Sequence, residues 1–113
     1  MSFFDDVIDG VFEGIEAIWD FISHWFIQLL NFVDNIVSFF QDPTRKQKLL
    51  ADKNKIAVSI KENLNNGNFN VVNCLFDQEA GEIVDYDAET YEAEKLDAST
   101  RQNFGNKKMI VLK

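Results

Sequence analysis

Apolar residues recur at helical spacing from the start of the chain. With Ile8 at position a of a heptad, the a series reads Ile8, Ile15, Ile22, Leu29, Ile36. The d series reads Val11, Ile18, Trp25, Phe32, Phe39, and the e series Phe12, Trp19, Phe26, Val33, Phe40. All of these are apolar, whereas the f series (Asp6, Glu13, Asp20, Ile27, Asp34) is acidic except at Ile27. Such a stripe predicts one amphipathic helix over residues 3–40, stopped by Asp42 and Pro43. Gly10 and Gly14 weaken its first turns, and their small-residue spacing reads as exposed or end-of-helix glycines, since Asp9 and Glu13 flank it.

Length then sets an assembly problem. Thirty-eight helical residues span about 57 Å, while a domain of this chain's size is about 35 Å across. A stripe left in water costs roughly 1.5–3 kcal/mol per large side chain, so a partner is required. Phe21, Ile27, Leu30 and Val37 widen the apolar surface of residues 21–40, leaving one side for the chain's own C-terminal part and one for another chain. A second copy is the simplest partner, because its stripe is self-complementary. The expected interface comprises Ile8, Val11, Phe12, Ile15, Ile18, Trp19, Ile22, Trp25, Phe26 and Leu29, with Ile18 central and Ile27 exposed. Residues 1–42 form the oligomerisation helix and 43–113 a small α+β domain.

After Pro43, Leu49, Leu50, Ile56, Ala57, Ile60 and Leu64 predict a second, basic helix over 44–65, capped by Gly67. Residues 69–76 and 82–87 predict a hairpin, and 108–112 a further strand. Residues 88–96 suit helix or strand. Ser99-x-x-Gln102 resembles a capping box, with Gly105 as the stop. The expected fold is therefore α+β: a long N-terminal helix, a basic second helix, and a mainly antiparallel sheet of about three strands.

Charge narrows the functional classes. Residues 1–42 contain eight acids and no Lys or Arg, a net of −8; residues 43–66 carry +4 and residues 67–113 carry −4. No dominant basic face exists for phosphate contacts, which argues against nucleic acid. Membrane spanning fails on length, since the longest charge-free run in this region, Phe21–Val33, has thirteen residues against the roughly 18–20 required. An interfacial anchor remains the alternative, because ten of the fifteen aromatics lie in the first forty residues. The acidic polar face opposes binding to anionic lipid.

Chemistry-bearing residues are sparse. Asp85-x-Asp87-x-Glu89 opens like a calcium loop, but Thr90 and Leu96 stand where glycine and a bidentate Glu are needed. Cys74 and His24 are the only residues of their kinds. They are too few for zinc, and Cys74 lies mid-strand in an apolar run rather than in a nucleophilic dyad. No phosphate loop or nucleophile elbow is present. The expectation is a non-enzymatic, cofactor-free assembly protein without a small-molecule substrate, self-associating through its first helix and presenting an acidic C-terminal surface. The alternatives are a peripheral membrane protein and a small acidic inhibitor or immunity-type protein that binds a basic partner. With a single cysteine and no secretory start, a cytoplasmic setting is expected, peripheral to a membrane in the lipid alternative.

Overall fold

The computed structural model describes residues 3–112. Its first helix, α1 (Phe3–Ala17), is far shorter than the stripe suggests. Val7, Val11 and Ile15 line its buried face, joined by Ile18 just past its end, and Asp9, Glu13 and Glu16 line its exposed one. The chain then makes a single turn at Trp19–Phe21 and runs on as strand β1 (Ser23–Leu30). The expected helix over 3–40 is therefore corrected to a helix, a turn and a strand. Seven of residues 21–30 are apolar, with only Ser23, His24 and Gln28 polar, so periodicity alone does not separate helix from strand there. Their β-branched and aromatic content (Ile22, Trp25, Phe26, Ile27) favours the strand. The length mismatch is resolved by turning, and the molecule measures 35 × 29 × 28 Å.

After β1, a wide helical turn (Phe32–Val37) continues into the short helix α2 (Ser38–Phe40). Helix α3 (Pro43–Ala51) starts with Pro43 in its first turn, and the Asp42 carboxylate caps it by accepting from the Arg45 N–H at 3.2 Å. There the basic helix ends. Residues 55–63, expected as its second half, form strand β2 (Lys55–Asn63), because Ile56, Val58 and Ile60 alternate as a strand interior does. Gly67, at φ 88°, turns the β2–β3 hairpin instead of capping a helix. Strands β3 (Phe69–Asp77) and β4 (Glu82–Leu96) follow, and β4 includes the ambiguous 88–96 segment. Helix α4 (Ala98–Phe104) is capped by Asp97, two residues before the expected Ser99, and Gly105 closes it. Strand β5 (Met109–Leu112) ends the described chain.

The sheet has five strands in the order β1-β4-β3-β2-β5, with β1 parallel to β4 and the other pairs antiparallel. The expected three strands were too few because the two segments read as helix supply β1 and β2. A bulge at Asp85, at φ 53°, shifts the β3–β4 register. Alternation on β3 sends Val72, Cys74 and Phe76 to the α1 face, and Val71 and Leu75 to the other. On that second face they meet Leu30, Ile36, Phe39, Phe40 and Phe104. Residues from both sides of position 42 thus contribute to both cores.

The two glycines of α1 lie in this packing. A Cβ on Gly10 would stand 3.1 Å from the Phe76 ring and 3.2 Å from the Gly81 carbonyl oxygen, and one on Gly14 3.0 Å from Ile83 Cδ1. They set the approach of α1 to β3 and β4, which corrects their reading as exposed. Gly10→Val should therefore destabilise the fold by about 1–3 kcal/mol, measured by urea unfolding. A neutral result would mean that the helix sits farther from the sheet.

Candidate interaction surface

The ten residues expected at the interface divide into two groups. Val11, Ile15, Ile18 and Ile22 are buried in the α1-side core, with Ile8 and Phe12 packed against it. Trp19, Trp25, Phe26 and Leu29 are exposed, by 55%, 43%, 65% and 53% respectively. Val33, which that set omits, joins them at 61%. Ile27, expected to be exposed, instead packs against the second core. Leu50 is the remaining exposed large apolar side chain among the described residues. All the others therefore fall between positions 19 and 33, on β1 and its immediate flanks.

β1 lies at the sheet edge with β4 as its one strand neighbour among the described residues. An edge strand leaves a row of backbone N–H and C=O groups available for pairing. Native edges are commonly blunted by charge or proline, but Ser23–Leu30 contains no Asp, Glu, Lys, Arg or Pro. Trp25 stacks on Tyr91, its register partner, with ring centroids 5.2 Å apart. Phe26 points to the opposite face of the strand. Ile27 and Leu30 pack into the same core although three positions apart, as do Ala93 and Leu96 on β4. The in/out alternation therefore changes phase around Gln28.

Local contacts fix the start of this edge. The His24 ring lies against Trp19, with centroids 4.0 Å apart. His24 Nε2 donates to the Trp19 carbonyl at 3.1 Å, Nδ1 shares a 2.6 Å hydrogen bond with Thr90 Oγ1, and the Thr90 hydroxyl also lies 3.2 Å from the Ser23 carbonyl. Both ring nitrogens are thus engaged in holding the turn. Beside them is a shallow hollow of about 330 Å³, whose lining includes Trp19, His24, Phe26, Asn70 and Glu92.

Asp97 fixes the other end. Its carboxylate accepts from the Phe32 N–H at 3.2 Å, from the Thr100 N–H at 2.8 Å, and from the Thr100 hydroxyl. Desolvation pushes the Asp97 pKa up, but hydrogen bonds from Thr100 and Phe32, with Arg101 nearby, outweigh it and hold the carboxyl below its ordinary value. The folded state therefore favours the carboxylate. Its stabilisation is complete above the ordinary pKa of 3.8 and is lost as pH falls through the lower folded value. Asp97→Asn, which keeps a capping oxygen, should differ most from the wild type near neutral pH and converge with it below pH 3.8. Urea midpoints across that range measure this, and a gap that widened on acidification would contradict it.

The remaining sequence candidates serve packing. Asp87 receives both Arg45 Nε and Nη2 at 2.8 Å, while Arg45 Nη1 donates to the Phe39 carbonyl and its guanidinium lies over the Phe39 ring. Asp85 pairs with Lys48 at 2.8 Å. Burial pushes the Glu89 pKa up, and the Tyr91 hydroxyl donates to this carboxyl. Asp85 and Asp87 of the calcium-like run thus tie α3 to β4, while Glu89 bonds within β4 itself. Among the described residues, no group of three or more His, Cys, Asp or Glu side chains is placed to share a metal ion. Cys74 is fully buried, and burial raises its thiol pKa far above the ordinary value. No helix among the described residues is long and apolar enough to cross a membrane. Comparisons with protein-family models, with curated proteins and with solved structures gave no match for this chain.

Proposed function

We propose that the protein is a non-enzymatic interaction module that docks its partner along the free edge of β1. The carrying observation is the coincidence on one edge strand of uncharged sequence, unpaired backbone and exposed Trp25, Phe26 and Leu29. Strand addition supplies main-chain hydrogen bonds, and the flanking side chains supply apolar contact. Self-association, expected from the heptad stripe, moves with it: the buried α1 residues are taken up within the chain, and β1 with its flanks Trp19 and Val33 remains for another copy. Lipid contact is the weaker reading, because the apolar face of α1 is occupied and Asp20 and Asp34 flank the aromatics.

Edge pairing between two acidic copies should be weak at low salt and strengthen as salt screens their repulsion. Light scattering at rising protein concentration should give a salt-promoted dimer, abolished by Phe26→Lys without loss of folded structure. A mass independent of salt and concentration, or a variant that associates as the wild type does, would refute self-pairing along the edge.

A further inference from the structure

We propose that the preferred occupant of the β1 edge is an extended segment of another protein with an apolar centre and lysine- or arginine-rich flanks. This inference rests on the edge reading above and names its partner class. β1 lies inside a stretch, residues 1–42, that contains no Lys or Arg. Asp20 precedes the strand and Asp34 follows it, both exposed. On β4, Glu92 and Glu94 flank Ala93, the partner of Ile27, and Lys95, opposite Leu29, is the single base there. Glu92 is held by neutral donors alone, the Asn68 and Asn66 amides at 2.7 and 3.3 Å, so its charge stays uncompensated in these contacts. The surface is an apolar strip with a negative rim.

That charge pattern discriminates between occupants. A second copy in antiparallel pairing would set Asp20 of one chain near Asp34 of the other, and parallel pairing would set each against its own equivalent. Like charges facing across strands destabilise the pair. A strand with basic ends meets a carboxylate at both ends in either direction. Its apolar centre covers Trp25, Phe26 and Leu29, while the backbone bonds ask nothing of its sequence. Rim charges of this kind steer encounter and set specificity.

Two synthetic peptides with the same alternating valine–threonine centre test this, one flanked by lysines and the other by glutamates. Each is titrated into the full chain while the emission of Trp19 and Trp25, its only tryptophans, is followed. The lysine-flanked peptide should bind at least about tenfold tighter at low salt, equivalent to about 1.4 kcal/mol. That advantage should shrink as salt is raised, and Phe26→Lys should abolish it. Equal affinities, or preference for glutamate flanks, would overturn the basic partner while leaving the edge reading intact. A lysine preference that survives Phe26→Lys would place the acidic site elsewhere and overturn the proposal. Failure of both peptides to bind would overturn the proposal together with the edge reading.

Discussion

Ile18→Asp is expected to unfold the protein, and not merely to separate copies of it. Ile18 is 4% exposed and packs in the α1-side core where the helix ends. The substitution gives up roughly 1.5–3 kcal/mol of apolar burial and places a carboxylate where ionisation without a partner costs several kcal/mol more. Together these are comparable to the whole stability of about 5–15 kcal/mol that a small domain possesses. Circular dichroism should show loss of cooperative melting. Phe26→Asp, at a position 65% exposed, should melt close to the wild type. The heptad reading instead expects Ile18→Asp to dissociate an oligomer and leave the C-terminal structure intact. A well-folded Ile18→Asp monomer would favour that reading over the intrachain core.

The second large effect is expected at Asn73, a fully buried amide in the central strand β3. Its Nδ2 donates to the Asn35 carbonyl at 2.8 Å, and its Oδ1 accepts from Ser59 Oγ at 2.8 Å. This side chain joins β2, β3 and the turn that follows β1 within an otherwise apolar layer. Asn73→Ala leaves the Asn35 carbonyl and the Ser59 hydroxyl without their partner, each at about 1–3 kcal/mol, so a loss of roughly 2–6 kcal/mol is expected. In that background Ser59→Ala should cost much less than it does alone, because the bond it would break is already gone. Urea unfolding of the four proteins measures the coupling. Additive losses would show that the bridge does not act as one unit.

Several elements were legible in the sequence because their signals were local. The β3–β4 hairpin follows from β-branched and aromatic residues on either side of the Asp77–Gly81 turn, and β5 from a continuous apolar run. The α+β class was legible for the same reason. What failed was the choice of period in segments apolar nearly all round. Ile56, Ala57, Ile60 and Leu64 fit a helix face, yet Ile56, Val58 and Ile60 form the interior of a strand buried on both sides. Residues 21–30 present the same ambiguity, and there the aromatic and β-branched types were the better guide. Trp19, Trp25, Phe26 and Leu29 were picked out by the heptad stripe, and the fold leaves them exposed. The stripe logic grouped them with Val11, Ile15, Ile18 and Ile22, which the fold buries in the α1-side core. The free edge itself was not legible, because strand order depends on β1 pairing with β4 across more than sixty intervening residues.

The most direct test of docking at β1 is residue-resolved amide hydrogen exchange, with and without the lysine-flanked peptide. New protection is expected within Ser23–Leu30, on the amides that face the open edge, with β5 unchanged. Protection confined to α1 or β5, or absent from residues 23–30 at saturating peptide, would contradict the account.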